Sequence, residues 1–131
     1  MNVLRLATEK DWTRIEKMRA DFFSGLSTRK ICKQKCLFDC VWVVAADSKT
    51  DEMQACVSYD IDNDNAVLYM HDFFLVTKRA GYNLMRFVHK FADDNGFTIM
   101  GDTPLENVNY REILRALGYR ETGVRFQRMA T

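Results

Sequence analysis

The chain has 131 residues, 47% of them apolar and 28% charged, with a net charge of +1. That length supports one domain spanning residues 1–131, and the near-neutral balance supplies no global attraction to nucleic acid or to an anionic membrane. The apolar runs are too short to cross a bilayer, Met1 to Phe23 is too charged for a secretory signal, and Cys32, Cys36, Cys40 and Cys56 therefore read as reduced thiols of a cytoplasmic protein.

Asn2 to Ala7 alternates as a short strand, with Val3, Leu4 and Leu6 apolar. Thr8 offers an N-cap, and Asp11 to Phe23 carries Trp12, Ile15, Met18, Arg19 and Phe22 at helical spacing before Ser24-Gly25 breaks it. Thr28 to Phe38 reads as a second helix, and the continuous apolar run Val41 to Ala46 as a buried strand. Gln54 to Asp60 and Ala66 to Val76 are two further strands, joined through Asp62-Asn63-Asp64-Asn65. Ala80 to Asn95 is an amphipathic helix (Leu84, Phe87, Val88, Phe91 and Ala92 on one face) stopped by Gly96. Phe97 to Met100 is a strand, Glu106 to Leu117 a helix stopped by Gly118, and Tyr119 to Met129 a final strand or hairpin. The plan is a mixed α/β fold, with a core drawing on Val43, Leu68, Met70, Phe87, Phe91, Ile99, Ile113 and Leu117.

The corner between the strand at Leu68 and the helix after Ala80 carries the most chemistry. A helix start presents unpaired N–H groups and the positive end of the macrodipole, so it is a natural anion seat. Lys78 and Arg79 add formal charge there, and Gly81 lets a backbone approach closely.

The element order, His71-Asp72-Phe73-Phe74-Leu75 on the central strand, Gly81 after it, and Asn107 followed ten residues later by Leu117-Gly118-Tyr119 resemble the GCN5-related N-acetyltransferase (GNAT) superfamily. The compact size is similar to that of small GNAT-like proteins of bacteriophages. The resemblance implies a central, mostly antiparallel sheet of six to seven strands flanked by about four helices. It also implies acetyl-CoA as co-substrate. The pyrophosphate would sit on the amides from Ala80 to Leu84, beside Lys78, Arg79, Gly81, Tyr82 and Asn83, with Asn107 also on the cofactor side. Backbone groups of Phe74, Leu75 and Val76 would pair with the pantetheine arm. The family's turn, R/Q-x-x-G-x-G/A, is altered here. From Leu75, Ala80 takes the basic position and Asn83 and Met85 the later glycines; in the alternative register Lys78-x-x-Gly81 fits and Asn83 takes the last place. Counting back from Leu117-Gly118-Tyr119, the family's frequent tyrosine acid falls on Leu114, with Tyr110 one helical turn earlier.

His71 and Asp72 are candidates to deprotonate an acceptor amine, because an ammonium must lose its proton before attacking a thioester. As strand neighbours they are expected on opposite faces of the sheet, one in the cleft and the other satisfied elsewhere. Tyr110 is the candidate acid. Cys32, Cys36 and Cys40 recur every fourth residue without a C-x-x-C pair or a fourth ligand, so they are read as packing groups and no metal is expected. Asp60, Asp62 and Asp64 copy the opening of a calcium loop, but Asn65 and His71 hold its glycine and glutamate places, which leaves a hairpin turn. Arg29, Lys30, Lys33 and Lys35, like Arg120, Arg125 and Arg128, read as solvated faces, without an interleaved aromatic platform for single strands.

The expected function is acyl-CoA-dependent N-acyl transfer, with acetyl transfer to an amine of a small molecule or a protein as its form. The alternative is a GNAT-fold binding protein that has lost catalysis, a phage-type virion component or host-factor inhibitor, located in a host cytoplasm or a virion. A third reading, base modification of nucleic acid, has the near-neutral charge against it.

Overall fold

A computed structural model describes residues 1–24, 40–102, 112, 114–122 and 125–130. Strand β1 covers Asn2–Leu6 and helix α1 Glu9–Ser24. Strands β2 (Val41–Asp47), β3 (Met53–Asp62) and β4 (Val67–Leu75) lead into helix α2 (Lys78–Asn95). Strands β5 (Thr98–Asp102), β6 (Arg120–Thr122) and β7 (Arg125–Arg128) complete the elements. Residues 112 and 114–116 are helical. The expected helix Thr28–Phe38, with Cys32, Cys36 and its basic residues, lies outside the described residues, as do Pro104, Asn107, Tyr110 and Ile113.

The local reasons for these elements are visible. Asp11 closes the start of α1: its carboxylate accepts from the Thr8 N–H at 2.8 Å and from the Thr8 hydroxyl at 3.2 Å, the carboxylate half of a capping box, while its own N–H donates to the Thr8 carbonyl. Helix α2 starts at Lys78, two residues before its apolar stripe suggests, because the Thr77 hydroxyl accepts the Ala80 N–H. It ends as Gly96 enters the left-handed region at φ 71° and returns its N–H to Ala92 and Asp93. The acidic run is the β3–β4 turn. One Asp62 oxygen accepts the N–H groups of Asp64 and Asn65 and the other the Asn65 side chain, so this carboxylate serves its own loop.

The strands form one seven-stranded sheet in the order β1-β2-β3-β4-β5-β7-β6. All neighbours are antiparallel except β4 and β5, the pair that α2 connects. One face packs against α2 through Val43, Val57, Tyr59, Leu68, Met70, Leu84, Val88, Ile99 and Leu114. The other packs against α1 through Ile15, Trp42, Val44, Ala46, Met53 and Cys56. Strand β2 is buried on both faces from Trp42 to Ala46, which explains why its sequence is apolar without alternation. Of the expected core, Val43, Leu68, Met70 and Ile99 are buried, and Phe87, Phe91 and Leu117 pack at its margin.

Candidate active site

Two parallel strands part company in the middle of the sheet. Strands β4 and β5 are in register from Val67–Thr98 to Met70–Gly101. Gly101 makes the last pair close, since a Cβ there would lie 3.2 Å from the Met70 carbonyl oxygen. Beyond it β4 runs on to Leu75 along β3, while β5 stays with β7. The Val76 N–H donates to the Gln54 carbonyl of β3 at 2.7 Å. Hydrogen bonding alternates along an antiparallel strand, so Phe74 and Asp72 also turn their main chain toward β3, whereas Phe73 and Leu75 turn theirs to the open side. Of the expected trio Phe74, Leu75 and Val76, Leu75 is the one whose main chain turns to the open side, as does that of Phe73.

The open side leads to the start of α2. The Thr77 hydroxyl and carbonyl take the N–H groups of Ala80 and Gly81. Lys78 and Arg79 are the first two helical residues, whose N–H groups have no intrahelical acceptor, and both side chains are exposed. The amides of Tyr82, Asn83 and Leu84 fall inside the helical ladder, so within 78–84 only Lys78 and Arg79 carry N–H groups without an intrahelical or capping acceptor. Ala80 and Leu84 are buried in the core, and Asn83 looks onto a shallow outer groove beside Arg86, Phe87 and Lys90. Gly81 faces inward: a Cβ there would meet Leu75 Cδ2 at 3.1 Å and Leu75 Cβ at 3.2 Å. Its lack of a side chain seats α2 on β4. Leu75, Val76 and Tyr82 leave exposed apolar surface around the corner.

His71 and Asp72 share one face of the sheet, contrary to the expectation of opposite faces. Asp72 stands opposite Ser58 and Met70 opposite Tyr59, so His71 is the extra residue of a β-bulge. A bulge interrupts the twofold alternation of side chains. The contacts agree. Asp72 Oδ2 accepts from the Ser58 hydroxyl at 2.6 Å, and His71 Nε2 lies 3.2 Å from Oδ1 of Asp60, two residues along the same side of β3. The other Asp72 oxygen accepts from Arg19 Nε of α1 at 3.1 Å in a fully buried ion pair. The Arg19 guanidinium lies 5.6 Å from the centre of the Trp42 ring. Arg19, Ser58 and Asp60 carry no sequence signal for this grouping. Tyr110 and Asn107 lie outside the described residues. Leu114, where the family spacing sets a tyrosine, is buried in the α2-side core.

A second polar group lies at the far end of α2. The His89 Nε2 is 2.7 Å from the Tyr119 hydroxyl, and Arg128 grips Asp93 through two bonds of 2.7 and 2.9 Å. Burial, then the Arg128 charge, lowers the His89 pKa from 6.5 to about 4, with Asp93 opposing them. As pH falls from 6.5 toward 4 the unfolded chain therefore binds a proton that the folded chain refuses, and stability is lost over that window. The expected loss is roughly 1–2 kcal/mol, discounted because the ring is only half buried. Thermal midpoints against pH check it, and His89→Gln is expected to flatten that part of the profile.

No protein-family model matches the chain, and no curated protein does. Solved structures do. The chain is similar to Arabidopsis thaliana NAA60 in complex with a bisubstrate analogue, with a TM-score of 0.75 at 12% identity over 100% of this chain and 99% of that one. It is similar to an N-acetyltransferase from Staphylococcus aureus Mu50, with a TM-score of 0.73 at 8% identity over 98% of each chain. A GNAT superfamily phosphinothricin acetyltransferase from Sinorhizobium meliloti in complex with AcCoA aligns with a TM-score of 0.63 at 15% identity, over 98% of this chain and 88% of that one. The chain has the GNAT fold.

Proposed function

We propose that the protein is an acyl-CoA-dependent N-acyltransferase that moves an acetyl group from acetyl-CoA to an amine of a small molecule or a protein. The observation that carries this reading is the open side of β4, where the Phe73 and Leu75 main chain runs directly into the start of α2, at the Lys78 and Arg79 N–H groups that have no intrahelical acceptor. A pantetheine arm contains two amides, and such a strand edge can pair with them as another strand would. The pyrophosphate then falls at the Lys78 and Arg79 amides, where dipole and formal charge favour an anion. This path brings the thioester toward the bulge at His71.

Both Asp72 oxygens are engaged, by Arg19 and Ser58, so Asp72 serves as a positioning residue that holds the bulge. His71 Nε2 makes no hydrogen bond and is the group proposed to take the amine's proton. The amine attacks the thioester carbon, the tetrahedral intermediate collapses, and the CoA thiolate leaves. Tyr110 is the proposed proton donor to that thiolate.

Calorimetry with acetyl-CoA on the purified chain tests the reading. Binding is expected, and Arg79→Glu is expected to weaken it by about tenfold without moving the thermal midpoint, since Arg79 is exposed. In an amine-acylation assay, His71→Gln is expected to lower turnover ~10²–10⁴-fold with little effect on CoA affinity. A folded protein that binds no acetyl-CoA sinks the proposal and favours the binding-scaffold reading. That reading draws its support from the sequestered Asp72 and from leucine at position 114.

A further inference from the structure

We propose that Cys40, Asp60 and His71 form a binding site for a divalent cation of borderline softness, best suited to Zn²⁺. One ligand atom from each residue (the thiol sulfur, a carboxylate oxygen and a ring nitrogen) lies within 4.8 Å of the other two. The three come from different parts of the chain: Cys40 directly before β2, Asp60 on β3, and His71 in the bulge of β4. The fold therefore assembles them, and a mixed S, N, O donor set is one that Zn²⁺ accepts readily. Three protein ligands leave a fourth tetrahedral position for water or another small ligand.

The state of His71 is the second, independent observation. Its Nε2 is shielded from solvent and makes no hydrogen bond, although Asp60 Oδ1 is only 3.2 Å away. A buried nitrogen without a hydrogen bond is costly. The spacing suits a shared ion. With bonds of ~2.0–2.1 Å, nitrogen and oxygen ligands of a tetrahedral zinc stand roughly 3.3 Å apart. The Tyr69 ring stacks on His71 with centroids 6.5 Å apart and planes 21° from parallel, which restrains the imidazole. On binding, the Cys40 thiol loses its proton to the buffer and the thiolate sulfur bonds the metal. An ion here would tie the entry of β2 to β3 and β4 beside the ion pair of Asp72. It would also occupy the His71 nitrogen, so metal binding and proton transfer by His71 exclude each other in one molecule. The site itself does not rest on the acyl-transfer reading.

The test is a titration of the metal-free full chain with Zn²⁺ by calorimetry, and with Co²⁺ as a spectroscopic probe. One Zn²⁺ per chain is expected. The Co²⁺ form is expected to show a thiolate-to-cobalt charge-transfer band together with the intense visible bands of a tetrahedral ion. Cys40→Ser should remove the charge-transfer band, and Asp60→Asn and His71→Gln should each weaken Zn²⁺ binding by more than about tenfold. Circular dichroism of the metal-free variants verifies their fold. If His71→Gln does not fold, Asp60→Asn, at a partly exposed position, carries the test. Absence of Zn²⁺ binding by the parent overturns the site. So does equal binding by the folded Asp60→Asn and His71→Gln variants, which places the ion elsewhere, or a charge-transfer band that survives Cys40→Ser, which places it on another thiol of the chain.

Discussion

Asp72→Asn is expected to lower the stability of the protein by about 3–5 kcal/mol. The substitution keeps the shape and removes the charge. It leaves the Arg19 guanidinium buried, with 5% of its side chain exposed, against a neutral amide. The Trp42 ring lies 5.6 Å from that guanidinium, but a cation–π contact of about 1–2 kcal/mol does not replace a carboxylate in a desolvated site. The Ser58 hydroxyl also loses a charged acceptor at 2.6 Å. Urea or thermal unfolding measures the loss. The double variant Arg19→Met with Asp72→Leu separates a pair required for folding from one retained for function. It is expected to regain most of the stability, because removing both charges abolishes the desolvation cost. A single Asp72→Asn variant within about 1 kcal/mol of the parent would show that the pair is not closed as described.

Gly81→Asp is the second large effect, expected to cost roughly 2–4 kcal/mol. Position 81 looks like a clean probe of the anion seat when only the sequence is read, because a carboxylate there would repel a phosphate. The structure changes the expectation. The new Cβ would lie 3.1 Å and 3.2 Å from two Leu75 atoms and 3.5 Å from Phe73 Cζ, so the carboxylate would enter the seam between α2 and β4. A favourable interaction of an acidic residue with the first turn, about 0.3–1 kcal/mol, does not offset burial of that charge. Gly81→Ala is expected to be much milder, because about 1 kcal/mol of helix propensity opposes the contact with a half-exposed Leu75. Thermal midpoints of the two variants make the comparison. If Gly81→Asp unfolds at the parent's temperature, α2 is not seated on Leu75 through this glycine.

Among the described residues the element order was legible in the sequence because its causes are local. The unbroken apolar run of β2, the stripe Leu84, Val88 and Ala92 on α2, the stop at Gly96 and the acidic turn at Asp62 each act over a few residues. The same locality pointed to the corner before α2 as a candidate anion seat. It could not fix which amides stay uncapped, because that depends on the Thr77 hydroxyl reaching Ala80.

The site itself belongs to the tertiary structure. Strict alternation puts His71 and Asp72 on opposite faces, and only the register of β3 against β4 reveals the extra residue that places them on one. Arg19 reads as one more position on a helix stripe, and its partner is 53 residues away. Cys40, Asp60 and His71 have no spacing that announces them, because β2, β3 and β4 bring them together only when they pair. The sequence by itself determined which segments form strands and helices, since periodicity and capping are short-range forces. The strand pairing decided which side chains meet and where the sheet opens, because side chains and backbone edges acquire a direction only once neighbouring strands are in place.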